Sequence, residues 1–314
     1  MAERLSHGAN AEDRGRAATG VGERALLAHI QARSTDLGAR FSHVVVGPGD
    51  DCAVIETKGG KCLLTVDQIV EGRHFTRALG VELIARKAVG RSISDLAAMA
   101  GRPLWGLATA AIPADFAEAD ALFDAMARWG RSWGAPLVGG DITSTDGPLL
   151  LTVTVGGVAD HARGPVLRST ARVGDGMYVT GRLGGSLESG KHAAFIPRVD
   201  AAWALAEALG EELTAMMDLS DGLGVDGARL AAASGVRLEL EAEALPVSAC
   251  LDGAAWARAL ADGEDYELLF TSSREIVTAA GVEVTRVGRV ASGSGCVIRA
   301  GGEWVDASGF GWEH

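Results

Sequence analysis

Six times along this chain an apolar run gives way to a glycine or a hydroxyl residue and then to an acidic one. The six are Gly49-Asp50-Asp51, Thr65-Val66-Asp67, Ser94-Asp95, Gly139-Gly140-Asp141, Asp218-Leu219-Ser220-Asp221-Gly222 and Gly263-Glu264-Asp265. Each falls at a strand end or a turn, and together they run the whole length of the chain. An aspartate at a strand end reaches a cleft without being buried, and a glycine beside it lets a phosphate approach the backbone closely. Taken singly each motif is weak, because Asp beside Gly most often marks a turn or a helix cap. Asp218 and Ser220 could cap a helix starting near Gly222. Asp95 is harder to dismiss. It sits inside the apolar stretch Ile93 to Met99, where an unpaired carboxylate is costly, so it either caps locally or has a cation.

Many aspartates and few cationic anchors suit metal-assisted phosphoryl transfer. Hard Mg²⁺ takes oxygen ligands and keeps several waters, so one or two carboxylates per ion suffice. The transfer itself needs positioning and neutralisation of phosphate charge. The chain has 29 basic and 41 acidic residues, a net charge of −12. The plain reading is a solvated acidic surface; the sharper one is carboxylates that hold divalent cations. No basic stripe marks a nucleic-acid binder. GxxxxGK[ST] is absent, as is the HRD and DFG set, which excludes the P-loop and the protein-kinase machinery. Cys52, Cys62, Cys250 and Cys296 form no CxxC pair. They read as buried free thiols in a reducing compartment. Met1 to Arg16 lacks the apolar core of a signal peptide, and no run of about eighteen apolar residues occurs. The expectation is a cytoplasmic protein with no membrane contact.

Residues 1–22 are polar and Gly/Ala-rich and read as a disordered tail. Periodicity predicts helices over Glu23–Ala32, Val81–Ala100, Phe116–Trp133, Ala201–Leu209, Gly224–Ala233 and Ala254–Ala261. Gly101, with Pro103 just beyond, marks the end of the longest. Strands are predicted at Val44–Val46, Cys52–Ile55, Cys62–Val66, Leu104–Ile112, Leu137–Gly139, Leu149–Val158, Met177–Thr180, Ala215–Leu219, Val236–Leu240 and Tyr266–Thr271. The pattern restarts near Asp160, dividing the chain into domains 23–160 and 161–314. Two successive mixed sets predict an α/β (α+β) architecture. Gly181 to Gly185 lacks the full GxGxxG pattern and reads as a strand-to-helix turn. Trp105, Trp129, Trp133, Trp203 and Trp256 read as core, and the scattered Arg and Lys as solvated surface.

The runs GPGDDCAVI, TVDQIVEGRHF, SDLAAMAGRP, GGDIT, MDLSDGL and DGEDYELLF resemble, in order, those of the thiamine-monophosphate kinase family. That family belongs to the superfamily of aminoimidazole ribonucleotide synthetase and selenophosphate synthetase, and the resemblance covers about residues 23–312. It implies a two-domain fold whose N-terminal sheet forms a barrel across a homodimer. It also implies Mg²⁺-dependent transfer of the γ-phosphoryl group of ATP, as co-substrate, to thiamine monophosphate. By resemblance, Asp51, Asp67, Asp95, Asp141 and Asp218 are ligands of several Mg²⁺ ions, and Asp221 holds a further metal near the transferred phosphate. Thr65 and Val66 add hydroxyl or carbonyl contacts beside Asp67. Asp221, Asp67 and Asp141 form the catalytic set. Gly140, Asp141, Ser220 and Arg168 contact the nucleotide. His74, Glu264 and Phe310 contact the acceptor, with Trp312 a rival to Phe310.

The chain departs from the family pattern in places. Thr65-Val66-Asp67-Gln68 stands where TTDT is common, so a side-chain metal contact from Val66 is lost. Ile142 to Thr145 lacks the arginine of GGDTTR, and the family's asparagine before Ser94-Asp95 becomes Ser92 or Arg91. Two other functions stay open on the sequence. One is another ATP-dependent synthetase or kinase of the superfamily; the other is a nucleotide-binding regulatory protein without turnover. An N-terminal sheet of four strands would leave an edge and a face exposed in a lone subunit.

Overall fold

The computed structural model describes residues 23–252, 255–276 and 283–312. The expected disordered tail, 1–22, lies outside them, as does Ala254 at the start of an expected helix. In the N-terminal half, α1 (Glu23–Arg33) and α2 (Leu37–Arg40) precede β1 (Val44–Val46), β2 (Ala53–Thr57) and β3 (Gly60–Val70). Then come α3 (Val81–Ala98), β4 (Arg102–Pro113), α4 (Ala119–Ser132), β5 (Leu137–Thr145) and β6 (Leu150–Val158). These strands form one sheet of six, not four, in the order β1-β2-β3-β6-β4-β5. β4 and β5 are parallel and joined through α4; the other pairs are antiparallel.

The C-terminal half runs β7 (Gly176–Thr180), α5 (Lys191–Ala194), α6 (Val199–Leu209), β8 (Leu213–Asp218), α7 (Leu223–Ser234) and β9 (Arg237–Glu241). It continues with α8 (Trp256–Ala261), β10 (Leu268–Ser272), β11 (Val284–Ala291), β12 (Gly295–Ala300) and β13 (Glu303–Asp306). Its sheet has the order β13-β12-β9-β11-β7-β10-β8. One core gathers apolar residues from Cys52 to Ala159, a second from Ala171 to Ala307. A third joins Ala97 and Ala100 to Tyr178, Leu205 and Phe270 across the two halves.

α3 is the pivot. One side packs on β3 and β6, another on α4, and the rest on α5, α6 and β8. A helix covered on so many sides needs small residues where neighbours come close. A Cβ on Gly90 would stand 2.8 Å from the Phe195 ring. The helix stops where the glycine signal places it, but the left-handed residue is Ala100 (φ 55°), not Gly101. Gly101 serves a different need: a Cβ there would meet Leu63 Cδ1 at 2.4 Å.

β3 alternates strictly. Leu63, Thr65, Asp67 and Ile69 turn toward α3, while Val66 turns away and is 60% exposed. On that away side Val66, Thr154 and Leu107 fall in register across the sheet, and Leu107 too is exposed. Leu26, Leu27 and Ile30 of α1 are also exposed. The four cysteines are free, yet Cys250 is exposed and Cys62 half-buried, so the expectation of buried thiols holds for Cys52 and Cys296 alone. The five tryptophans expected in the core are each only partly buried. Three of them stack under cations, Trp129 and Trp133 beneath Arg86 and Trp203 beneath Arg102. Among the described residues, no helix is long and apolar enough to cross a membrane.

Candidate active site

The packing of α3 between the two sheets decides which acidic motifs meet. Asp95 lies near its C-terminal end, Asp51 in the turn before β2, and Asp218 at the end of β8. One oxygen from each carboxylate lies within 4.8 Å of the others. Two hydroxyls brace them. Thr65 Oγ1 donates to Asp95 Oδ2 at 2.5 Å, and Ser94 Oγ to Asp218 Oδ2 at 2.6 Å. Neither aspartate caps a helix locally. Arg168 clamps Asp51 with Nη2–Oδ1 at 2.6 Å and Nε–Oδ2 at 3.2 Å, and its backbone N–H donates to Asp50.

Three negative groups at this distance are costly when ionised together. Burial, then the charges of Asp67, Asp218 and Asp51, push the Asp95 carboxyl well above its usual range. Burial, then Asp51, does the same to Asp218. Burial and then Asp51 push Asp50 up to about 7. Carboxylates braced by hydroxyls form a donor set suited to a hard divalent cation.

Around this trio the other candidate residues take distinct places. Asp67 faces Arg91 on α3, with Nη2–Oδ1 at 3.4 Å. Ser92 is turned to the sheet, donating to the Val153 carbonyl, so of the two residues matched to the family's asparagine Arg91 faces the site. Asp221 pairs with Arg229, and Ser220 and Asp221 lie in a loop held from below by Asp226. The buried Oδ2 of Asp226 accepts the backbone N–H groups of Ser220, Asp221 and Gly222 at 3.0, 2.9 and 3.1 Å. A second loop crosses this one closely: Glu264 N–H donates to the Ser220 carbonyl at 2.6 Å, and a Cβ on Gly263 would stand 2.8 Å from the same oxygen. Glu264 and Tyr266 both adopt left-handed backbone (φ 62° and 50°), a strained choice for side-chain-bearing residues.

Lys87 links the residues expected to contact the acceptor. Fully buried, it pairs with Glu264 at 2.6 Å and donates to the His74 carbonyl at 2.7 Å. His74 Nδ1 accepts the Val70 N–H at 3.0 Å, which fixes the ring against the end of β3. The two aromatic rivals separate. Phe310 is tucked against Trp256, with ring centroids 6.1 Å apart, in the second core. Trp312 is 62% exposed, and its backbone N–H donates to the Asp221 carbonyl at 2.9 Å.

Two groups of candidates stand apart. Gly140 and Asp141 lie on the edge strand β5, exposed, and in register with Ala108 and Thr109. β6 and β4 lie between β3 and β5, so Asp141 is three strand spacings, about 14 Å, from Asp67 in the same chain. The Val66 side chain is on the sheet face opposite Thr65 and Asp67. The glycine turn Gly181–Gly185 is no open phosphate cradle. The N–H groups of Gly184 and Gly185 are taken by the Asp265 and Asp262 carboxylates.

Sequence reasoning missed Lys87, Asp226, Arg229 and Tyr266, and named Arg91 only as one of two residues at the place of the family's asparagine. The expectation that Arg and Lys lie on a solvated surface fails for Lys87, Arg91 and Arg168, all enclosed at the site. A signal was present for Lys87 and Arg91, which with Asp95 recur every four residues on one face of α3.

Comparisons with known proteins cover both halves of the chain. The family model for AIR synthase related protein, N-terminal domain, matches residues 49–159, and that for the C-terminal domain matches 179–311. A thiamine-monophosphate kinase of Rhodopirellula baltica is 35% identical over 296 residues, spanning 87% of this chain and 90% of that protein. One from Aquifex aeolicus is 31% identical, spanning 85% and 92%. The solved structure of AaThiL complexed with AMPPCP and TMP superimposes with a TM-score of 0.81 at 29% identity, covering 94% of this chain and 98% of that one.

Proposed function

This chain belongs to the thiamine-monophosphate kinase family of AIR synthase related proteins, and from that premise we propose that it phosphorylates thiamine monophosphate with ATP. The γ-phosphoryl group passes directly to the acceptor's phosphate, giving thiamine diphosphate and ADP. The observation that carries this reading is the convergence of Asp51, Asp95 and Asp218 from both halves of the chain. The solved relative bound to AMPPCP and TMP supports it.

Bound Mg²⁺ supplies the positive charge that lets two anionic reactants meet. Asp51, Asp95 and Asp218 would hold it, with Asp67 and Asp221 as ligands of further ions. Thr65 and Ser94 orient the carboxylates they touch. Arg168 holds Asp51 in place and is a nucleotide-phosphate contact. Asp226 shapes the Ser220–Gly222 loop, so that Ser220 presents to nucleotide and Asp221 to metal. Lys87 fixes Glu264 and the His74 segment as one acceptor-facing unit. Between the two aromatics, exposure and the tie to Asp221 favour Trp312 as the ring that packs on the acceptor.

Gly140 and Asp141 join this reading through a second subunit. β5 is an edge strand, and the sheet face bearing Val66 and Leu107 has no cover among the described residues. A homodimer pairing these faces would bring Asp141 to the partner's cluster. Mixing inactive Asp95→Asn and Asp141→Asn proteins should then restore turnover that neither has alone; mixtures that stay inactive would put Asp141 out of the site. The division at residue 160 into an N-terminal dimerising domain and a C-terminal domain that completes the site belongs to the same proposal. So does a cytoplasmic location, which suits an exposed free thiol at Cys250.

The kinase reading is tested by coupled ADP release with Mg²⁺-ATP, comparing thiamine monophosphate with thiamine. Thiamine diphosphate formed from the monophosphate alone is the expected result. ATP binding without turnover on either acceptor would overturn it.

A further inference from the structure

We propose that Arg91 binds the phosphate of the acceptor and so selects a phosphate monoester over the corresponding free alcohol. This rests on the kinase reading above. Arg91 lies on α3, one turn from Lys87 and one turn from Asp95, and its side chain is only 15% exposed. A guanidinium has five donors in a rigid fork, and burial makes unmet donors expensive. Two other arginines that hold buried carboxylates meet their donors well. Arg168 grips Asp51 at 2.6 and 3.2 Å, and Arg198 grips Glu267 at 2.6 and 2.7 Å.

Arg91 does not. Nη2 lies 3.4 Å from Asp67, Nη1 lies 3.8 Å from Glu264, and the buried Nε has no hydrogen-bond partner. A counter-ion for Asp67 alone would close on it as Arg168 closes on Asp51. This guanidinium instead stands loosely between a carboxylate on the metal side and a carboxylate on the acceptor side. A second polar atom nearby is also unmet. The Tyr266 hydroxyl is enclosed without a partner, on a residue 2% exposed and within electrostatic reach of Arg91, Glu264 and Asp67. Its ring is pinned by stacking on Phe195 with centroids 3.9 Å apart, and its backbone is left-handed. Two enclosed donors without partners, set near the carboxylates of Asp67 and Glu264, form a receptor for a tetrahedral anion.

The charge inventory agrees. Lys87 is committed to Glu264 and the His74 carbonyl, Arg168 to Asp50 and Asp51, and Arg229 to Asp221 and Asp226. Among the described cations of this cluster, Arg91 has the longest nearest ion pair, 3.4 Å to Asp67. A phosphate monoester carries between one and two negative charges near neutral pH, and a planar fork suits its oxygens.

The test compares wild type with Arg91→Met and Arg91→Lys. The readouts are KM for thiamine monophosphate, KM for ATP, and calorimetric binding of thiamine monophosphate and of thiamine to each protein with Mg²⁺ and AMPPCP present. Removing charge-assisted hydrogen bonds should weaken the monophosphate about ten- to a hundredfold in Arg91→Met. Arg91→Lys should recover part of that, while ATP KM and thiamine binding stay unchanged. Equal weakening of thiamine and its monophosphate, or a shift confined to ATP, would overturn the inference and leave Arg91 a counter-ion. Should Arg91→Met fail to fold, Arg91→Lys and Arg91→Gln decide on the same ratio of monophosphate to thiamine affinity. If wild type turns over neither acceptor, the kinase reading fails by itself. The monophosphate-to-thiamine binding ratio then still decides the role of Arg91.

Discussion

Replacing Asp95 by asparagine should stabilise the metal-free protein while nearly abolishing turnover. The carboxylate oxygens of Asp51, Asp95 and Asp218 lie within 4.8 Å of one another. At an effective dielectric constant of about 20, two unit charges at that separation repel by about 3.5 kcal/mol. Asp95 takes part in two such pairs. The full sum is not realised, because Arg168 offsets part of the Asp51 charge, Asp95 itself is half-buried, and the group can take up a proton. About 1–3 kcal/mol should remain at pH 8. The sign follows from the raised carboxyl. Burial and the neighbouring aspartates lift its folded-state value above the unfolded one. Its stability penalty is therefore absent below the unfolded pKa and grows as pH rises toward the folded one. The gain from Asp95→Asn should accordingly be largest at pH 8 and disappear near pH 4. Asparagine keeps an acceptor for the Thr65 hydroxyl, so no unmet donor is created. The assay is thermal unfolding in EDTA across this pH range, repeated with Mg²⁺. A gain of a few degrees is expected for Asp95→Asn in EDTA, together with a smaller response to Mg²⁺ than wild type and a loss of at least ~100-fold in turnover. A variant less stable than wild type in EDTA at pH 8 would refute the repulsion argument, and with it the reading of the trio as a cation site.

Three other expectations follow from particular contacts. Burial, against the pull of Lys191, the Gly184 N–H and Ser186, pushes Asp265 up to about 6. Its contribution should therefore make wild type lose stability as pH rises from about 4 to 6, and Asp265→Asn should flatten that slope in urea titrations; an unchanged slope would contradict the assignment. Asp226→Ala removes the acceptor for three backbone N–H groups and should cost about 2–4 kcal/mol in urea unfolding, with faster amide exchange confined to Ser220–Gly222. Normal protection of that loop would mean another group holds it. Trp312→Ala should raise the acceptor KM about tenfold with Tm unchanged, whereas Phe310→Ala should lower Tm through lost packing. The reverse pattern would restore Phe310 as the acceptor's aromatic partner.

What the sequence made legible, and what it hid, divides along a physical line. Local periodicity located β3, α3, β8 and α7 because alternation and helical spacing are properties of neighbours in the chain. The aspartates at strand ends were legible for the same reason. Sheet order is not local. Nothing in Gly139-Gly140-Asp141 says that β6 and β4 will stand between it and Asp67, so a motif that looks equivalent to the others lands on the far edge of the sheet. Likewise Asp226 looks like an ordinary early-helix acid until three N–H groups of the preceding loop are found on it. The cations of α3 were hidden by a default that fails for this helix. Lys87, Arg91 and Asp95 on one face would normally be a solvated stripe. α3 has no solvated stripe, because the N-terminal sheet, α4, α5, α6 and β8 close around it. A charged residue on a helix enclosed in that way has to face an internal polar site, since any other direction would strand it in apolar packing. The same reasoning that singled out Asp95 therefore extends, turn by turn, to Arg91 and Lys87. On the proposed function, this one face of α3 is the axis along which metal, transferred phosphate and acceptor are set in order.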